Sequence, residues 1–388
     1  MKRIAIIAFY HPESSLCLAR YIAKQNIYVD YYIITDLLRN KGAVAGFKYY
    51  KAKKKLGIHN LSSDEIPEIY EYSKNLPIKY NLIRILSYSQ KLWFANKFIL
   101  YHSLINIRNK KYDAINIIGQ HPWVEYIHNI LRNENITHSF HEVGSHQNGT
   151  TVTSLIERVI RDRSKVILHS NSTYKRFCSI PNAKCCMVAN IPFGKFETML
   201  LYQENCKLNI PLNLKYITFL FYGYIKPYKG LDLLMEADKI LSTHTTNYNI
   251  IIAGGGDDPA LEYFRERKNC YILNRYMSNN ELIALNKLSS VVVLPYKSAS
   301  QSGIVPTTFM LGKPVIATRV GALQEVINDS YNGLLVEPNN PQDFANAMLN
   351  IITNQELYSQ LCEGVKNFGN GDNFDWVAIA EKTIKFIL

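Results

Sequence analysis

Between an apolar run ending at Leu294 and a helical pattern starting at Ile304, the chain places Ser298, Ser300, Gln301, Ser302 and Gly303 in one short loop, PYKSASQSG. Hydroxyls, a carboxamide and bare backbone N–H groups are thereby offered ahead of a helix N-terminus, where the helix dipole and unpaired amides favour an anion. A crossover in a parallel sheet needs a loop only to turn, and any α/β protein has several such loops. The polarity of this one exceeds what turning requires, and it predicts a phosphate-bearing ligand.

A second segment, FLFYGYIKPYKGLDLLMEA from Phe219 to Ala237, reads as an apolar strand ending at Gly223, a cationic loop with Lys226 and Lys229, and a helix opened by Gly230. Between the two loops lie Asn249 to Gly256 (NIIIAGGG) and Asn274 to Tyr296, again strand and helix in alternation. Gly254, Gly255 and Gly256 are followed by two aspartates and complete no Gly-x-Gly-x-x-Gly; with no P-loop sequence either, the motifs argue against a dinucleotide or ATP enzyme. The glycines are expected to form a tight turn at the ligand cleft.

From Pro295 to Pro314 the chain resembles, without gaps, the donor-binding segment of the retaining GT-B glycosyltransferases of the group 1 or family 4 type. Phe219 to Ala237 resembles that family's first donor loop, and the resemblance extends over about 207 to 345, with the N-terminal half following only in outline. It implies an enzyme that takes a sugar from a nucleotide-sugar donor, with Lys226 and Lys229 neutralising the diphosphate leaving group. The donor-binding residues it implies are Gly223, Lys226, Lys229, Gly255, Ser300, Gln301, Ser302, Gly303, Ile304 and Thr307. Two family glutamates fall on Ala299 and Thr307, and the family's loop arginine falls on Tyr224. Thr307 is left to bond a ribose hydroxyl, and Ser300 or Gln301 to meet the sugar.

Glycosyl transfer must stabilise a departing diphosphate, either with a metal held by Asp-x-Asp or with fixed cations and amides. The sequence contains no Asp-x-Asp, so Lys226, Lys229 and the amides of Ser302 to Ile304 take that task and no metal or other cofactor is expected. In the N-terminal half, His121 follows the apolar run Ala114 to Ile118, and His141 and Glu142 end the run Thr137 to His141. These three are the catalytic candidates. His141 and His146 lack the His-Glu-x-x-His spacing of a zinc helix, which argues against a metal there.

Positioning such loops takes parallel sheets. Strand-length apolar runs alternate with helical patterns throughout: Ile4 to Phe9, Val29 to Ile34, Ala114 to Ile118, Thr137 to His141 and Val166 to His169, then Ile217 to Tyr222, Asn249 to Ala253, Cys270 to Leu273, Val291 to Leu294 and Val315 to Thr318. Short Val/Ile-rich runs of this kind are covered on both faces. The expected fold is α/β, GT-B, with two doubly wound Rossmann-like domains facing a central cleft. Residues 1–193 would bind the acceptor, 207–370 the donor, and 374–388 would form a helix crossing back to the N-terminal domain. The linker is expected near Ile191 to Pro211.

A chain of 388 residues with 47% apolar and 20% charged residues can bury two cores. No run reaches the roughly 18 to 20 apolar residues of a membrane-spanning helix. The opening MKRIAIIAFYHPES reads as a buried strand rather than a signal peptide, and the odd count of seven cysteines suggests reduced thiols, so a cytoplasmic protein is expected. Cys185 and Cys186 are read as strand neighbours without a role.

The net charge of +12 is uneven, with 27 Lys+Arg against 13 Asp+Glu in residues 1–193. Lys41 to Lys55 holds six lysines and no acid, and Lys79 to His102 reads as a basic, aromatic-rich helix. For either segment alone a solvated lysine face, or a helix packed into its own domain, is the commoner reading; for the half as a whole an anionic membrane surface ranks first, ahead of nucleic acid, which makes peripheral attachment at the inner membrane face and a lipid-linked or glycan acceptor the expectation. No nucleic-acid motif accompanies the charge, so no nucleic acid is expected. The function read from the whole is a metal-independent, retaining hexosyltransferase of cell-surface polysaccharide synthesis. The alternatives are a non-catalytic nucleotide-sugar-binding subunit and a sugar-nucleotide 2-epimerase.

Overall fold

Strands rich in Ile and Val, with both faces apolar, pack where helices cover both sides of a sheet, and this chain builds two such sheets. The computed structural model describes residues 1–9, 12–36, 55–87, 93–143, 154–202, 206 and 208–388. The chain divides into one unit of Met1–Leu201 with Asn373–Leu388 and a second of Tyr202–Asp372.

In the first unit the strands are β1 (Arg3–Ala8), β2 (Tyr28–Asp36), β3 (Gly57–Asn60), β4 (Ile78–Ile85), β5 (Ala114–Ile118), β6 (Ile136–Phe140), β7 (Lys165–Leu168) and β8 (Val188–Asn190). They lie in the order β3-β4-β2-β1-β5-β6-β7-β8. Strand order reverses between β1 and β5, which pair from Ile4 with Ala114 to Ala8 with Ile118. The sheet departs from the expected parallel arrangement at one edge, where β3 runs antiparallel to β4.

The expected helix over Lys79 to His102 is a correction. Ile78–Ile85 is strand β4, buried between β2 and β3, and the helix spans only Trp93–Asn109. A short run with Tyr, Ile and Leu has no period that separates a buried strand from a buried helix, and sheet pairing decides it. Arg84, one of the basic residues of that stretch, is buried on the strand. Lys91 and, from the lysine-rich stretch, Lys41, Lys48, Lys51, Lys53 and Lys54 lie outside the described residues, as does His146. Cys185 ends a 3-10 turn, Ala183–Cys185, and Cys186 follows it, so the pair is not on a strand.

The second unit holds β9 (Ile217–Tyr222), β10 (Tyr248–Ala253), β11 (Cys270–Leu273), β12 (Val291–Leu294), β13 (Val315–Thr318) and β14 (Gly333–Val336), all parallel, in the order β11-β10-β9-β12-β13-β14. The order reverses between β9 and β12. In a doubly wound sheet the loops leaving the carboxyl ends of the strands at that reversal diverge to opposite faces and open a crevice for ligand.

The final helix, Trp376–Ile387, belongs to the first unit. Asp375 caps it, the Ile387 carbonyl accepts from Lys165 Nζ at 2.9 Å and Asn135 Nδ2 at 2.8 Å, and Trp376 Nε1 donates to the Lys195 carbonyl at 2.6 Å. Gly194 lets this helix start so close, because a Cβ there would lie 2.6 Å from the Phe374 carbonyl oxygen.

Candidate functional site

The loops after β9 and β12, which carry the candidate donor residues, meet at the strand-order reversal of the second unit. They are joined by several contacts. Lys297 N donates to the Tyr228 carbonyl at 2.8 Å, Lys297 Nζ pairs with Asp232 at 2.6 Å, and the Tyr228 and Tyr296 rings meet edge to face at 6.2 Å. Gly230, at φ +69°, lies where a Cβ would sit 1.9 Å from the Pro295 carbonyl oxygen, so only glycine lets the loops close up. It caps the helix Leu231–His244 after a 3-10 turn over Pro227–Lys229.

Lys229 is buried between these loops. Its Nζ donates to Tyr296 Oη at 2.6 Å and lies 4.4 Å from the centre of that ring. Burial, followed by the nearby charge of Lys226, pulls its ammonium down to about 8. Burial in turn pushes the Tyr296 phenol well above its usual range, so it stays protonated. Lys226 differs from Lys229: it is exposed at the loop rim, 5.4 Å from the ring centre of exposed Tyr224. Gly223 makes room for the cation, since a Cβ there would be 3.3 Å from Lys229 Nζ and 3.2 Å from Ile304 Cδ1. Lys229, Gly223 and Ile304 are therefore one cluster.

Ile304 starts the helix Ile304–Met310, with Gly303, which has no side chain to cap it, at the N-cap. Ser300 and Thr307 are buried, Gln301 and Ser302 half-buried and Gly303 exposed. Tyr222 steers this helix from below: its hydroxyl lies 2.9 Å from Thr308 Oγ1 and donates to the Ile304 carbonyl at 3.4 Å. Ala299 is buried, and its carbonyl accepts from Ala322 N at 3.1 Å while Gly321 presses against it, so a Cβ on Gly321 would lie 1.6 Å away.

Gly254 to Gly256 correct the expectation of a tight turn. They run beside the loop after β9: Gly223 N donates to the Ala253 carbonyl at 3.0 Å, Ile225 N donates to the Gly255 carbonyl at 2.9 Å, and Ile225 pairs with Gly256. A Cβ on Gly254 would lie 1.8 Å from the Gly223 carbonyl oxygen. Their absent side chains set the path of the loop that carries Lys226 and Lys229.

In the first unit, His121 lies at the strand-order reversal between β1 and β5. Gly119, at φ +103°, turns the chain out of β5, and Gln120 Nε2 donates to the Glu142 carbonyl at 2.6 Å. His121 Nδ1 accepts from Trp123 N at 3.2 Å and caps the helix Pro122–Leu131, and its ring stacks on Phe9 at 5.1 Å and 7°. With Nδ1 as acceptor, the neutral ring carries its proton on Nε2 and can donate there. His141 lies just past β6 rather than at its end. It is buried against Phe193 at 5.0 Å and His169 at 5.2 Å, as a packed side chain rather than a presented one. Glu142 is half-buried beside it, linked to the His121 loop through its carbonyl.

Two groups were missed in the sequence. Glu13, in the first turn of the helix after β1, is half-buried, and desolvation raises its carboxyl to about 7. Tyr296 holds Lys229, and the signal for it is the tripeptide Pro-Tyr-Lys, which occurs in both loops, at 227–229 and 295–297. Among the described residues no group of three or more His, Cys, Asp or Glu is placed to hold a metal ion.

Residues 204–368 match the family model for glycosyl transferases group 1. An uncharacterized glycosyltransferase of Methanocaldococcus jannaschii is 33% identical over 165 residues, 40% of this chain and 44% of that relative. A D-inositol 3-phosphate glycosyltransferase of Corynebacterium glutamicum is 28% identical over 186 residues, 45% of this chain and 43% of that one. The chain thus spans under half the length of either relative. Over nearly the whole chain the fold is similar to sucrose-phosphate synthase from Thermosynechococcus elongatus, with a TM-score of 0.66, 16% identity, and coverage of 99% of this chain and 98% of that one. It is likewise similar to the Anabaena HepE protein in complex with UDP and glucose, with a TM-score of 0.62, 16% identity, and coverage of 99% of each chain.

Proposed function

Given that the second unit is a group 1 glycosyltransferase domain and the chain has the GT-B fold, we propose that this protein transfers a hexosyl group from a nucleotide sugar to a hydroxyl of a glycan or lipid-linked acceptor. The observation that carries the reading is Lys229, a buried cation at the strand-order reversal, beside the start of a helix whose N-cap, Gly303, has no side chain. Such a cation, held before the ligand arrives, stabilises charge developing on a leaving diphosphate without reorganisation.

The bond between sugar C1 and the diphosphate oxygen breaks, and its electron pair goes to the diphosphate, which Lys229, Lys226 and the amides of Ser302 to Ile304 receive. The acceptor oxygen bonds C1 on the same face, and its proton passes to the departing phosphate oxygen. This gives retention without a metal or other cofactor, so transfer should persist in excess chelator. In the first unit, which would take the acceptor, His121 Nε2–H donates to a sugar hydroxyl, with His141 and Glu142 supporting its loop. The biological setting we favour is cell-surface polysaccharide synthesis at the cytoplasmic face of an anionic membrane. It is consistent with the basic first unit, and no described helix is long and apolar enough to cross a membrane.

Similar structures contain UDP-glucose and UDP-2-fluoro glucose, which makes uridine donors the first to test. A thermal-shift panel of nucleotide sugars is the direct experiment, because a ligand at a hundred times its dissociation constant adds about 2.7 kcal/mol of stability. No shift with any nucleoside diphosphate or its sugars would remove the reading. A non-catalytic nucleotide-sugar-binding subunit is the second reading, favoured by the neutral residues Ala299 and Thr307. Binding without transfer to any acceptor, or to water, would select it.

A further inference from the structure

The helix Trp93–Asn109 contains neither Asp nor Glu and is apolar on two faces. Its inner face packs Leu100, Leu104 and Ile107 into the core of the first unit. Its outer face carries Phe94, Phe98 and Tyr101, which are 87%, 68% and 46% exposed. Spacings of four and three residues place these rings above one another in a single stripe. A surface helix ordinarily turns polar side chains outward, and an apolar stripe left in water marks an interaction face.

Charge identifies what covers it. Lys97 flanks the stripe, half-buried with its ammonium 5.1 Å from the Trp93 ring centre and 5.7 Å from that of Tyr126, and exposed Arg108 lies in the last turn. His102 meets Phe98 edge-on at 4.4 Å. Residues 1–193 carry 27 Lys+Arg against 13 Asp+Glu. Two such faces would repel each other in a homodimer, whereas aromatic rings with interleaved cations match the interface of an anionic bilayer. The helix is also tied to the candidate site. Trp93 stacks on Trp123 at 4.0 Å, and Trp123 gives its backbone N–H to His121.

We propose that this outer face docks on an anionic phospholipid bilayer, with Phe94 and Phe98 inserted below the headgroups and Lys97 and Tyr101 among them. Docking then sets the His121 end of the first unit at the membrane surface. The inference deepens the lipid-linked reading of the acceptor and relocates the contact from a lysine cluster, which salt would screen, to rings that salt leaves in place.

The test is sedimentation of the full chain with phosphatidylcholine vesicles containing about a third phosphatidylglycerol, without nucleotide or acceptor, at low salt and at about 0.5 M NaCl. The wild type should sediment with these vesicles and keep a bound fraction at high salt. Phe94→Ser with Phe98→Ser should lower the bound fraction about tenfold with an unchanged melting temperature, since both side chains are exposed. Equal binding by the double variant, or no binding by the wild type, overturns the proposal. So does a wild-type dimer that the double variant splits without any change in vesicle binding. If the double variant misfolds, Phe98→Trp decides: emission that shifts blue on vesicles and is quenched by brominated acyl chains supports insertion, and unchanged emission excludes it. Because no sugar nucleotide is present, vesicle binding stands or falls separately from donor binding. Transfer to a soluble acceptor by a protein that ignores vesicles would sink this inference alone.

Discussion

Lys229 Nζ donates to the hydroxyl of Tyr296 at 2.6 Å, so the same tripeptide, Pro-Tyr-Lys, placed once in each crevice loop, joins the two loops through a buried cation. The pair costs stability at neutral pH rather than adding it. A lysine whose folded value falls from 10.5 to about 8 carries roughly 3 kcal/mol against its charged form at neutral pH. The unfolded chain binds that proton more tightly between pH 8 and 10.5, so stability rises with pH across that window, and below it the whole penalty is present.

Lys229→Met should therefore raise the melting temperature at pH 7, with the gain vanishing above about pH 10. It should also weaken nucleoside-diphosphate binding roughly tenfold to a hundredfold, since a charged hydrogen bond is worth about 1.5 to 3 kcal/mol. Wild-type affinity should weaken as pH rises through 8. Calorimetric titration of UDP at several pH values, beside melting curves, reads both effects. A variant that loses stability and keeps its affinity would make Lys229 a structural residue.

The glycines beside that loop divide into those that cannot change and those that can. Gly254→Ala would drive a Cβ to 1.8 Å from the Gly223 carbonyl oxygen at φ +149°, a cost of about 3 kcal/mol or more. Gly312, at φ +74°, faces open space, and its alanine variant should lose only about 1 kcal/mol. Urea midpoints of the two variants measure the difference, and similar losses would contradict the close approach of the two loops.

Such approaches explain what the sequence could and could not reveal. The strands of the second unit were legible because Ile217–Tyr222, Tyr248–Ala253 and Val291–Leu294 are apolar but for Thr218 and Asn249, and each is followed by a loop with Gly and Pro. Strand β4 was not, because IKYNLIRI mixes Lys, Asn and Arg with apolar residues and takes its conformation from pairing with β2. The same logic covers the site. A cationic loop is visible as Lys226 and Lys229, but which lysine is buried depends on Tyr296, 67 residues away. Glu13 gave no local signal either, since its raised carboxyl comes from tertiary burial.

A buried relay in the first unit makes a prediction about acid. His128 Nε2 lies 2.8 Å from Asp162 Oδ2, and His128 Nδ1 lies 2.9 Å from His138 Nε2. With His128 donating to Asp162, its Nδ1 accepts from His138, which leaves His138 Nδ1 as the only place for a further proton, buried and without a partner. Burial, with His128 adding to it, lowers His138 to about 3. The unfolded histidine takes up its proton near 6.5, so stability should fall as pH drops from about 6.5 toward 3, by up to about 1.4 kcal/mol per pH unit. Asp162, lowered chiefly by its bond to His128, adds a loss of the same sign at the acid end. Melting temperatures from pH 7 to 4 should show the decline, and His138→Leu should flatten it. An equal slope in the variant would place the titration elsewhere.

His121 caps a helix and, in the proposed reaction, meets the substrate, and one substitution separates the two. Its Nδ1 caps the helix Pro122–Leu131, so His121→Ala would cost about 1 kcal/mol of stability and blur any effect on rate. His121→Asn offers a carboxamide oxygen to the same Trp123 N–H and preserves the cap, but it removes the Nε2–H that would reach the substrate. The asparagine variant should melt within a degree or two of the wild type and bind UDP as tightly, because the residues proposed for the diphosphate belong to the other unit. Its transfer rate should fall about a hundredfold, the usual scale for a positioned acid–base or hydrogen-bonding group. Rate, melting and UDP titration on this one variant read the three quantities separately. Unchanged turnover would return His121 to a capping role and shift attention to Glu13, whose carboxyl near 7 lies in the first turn after β1.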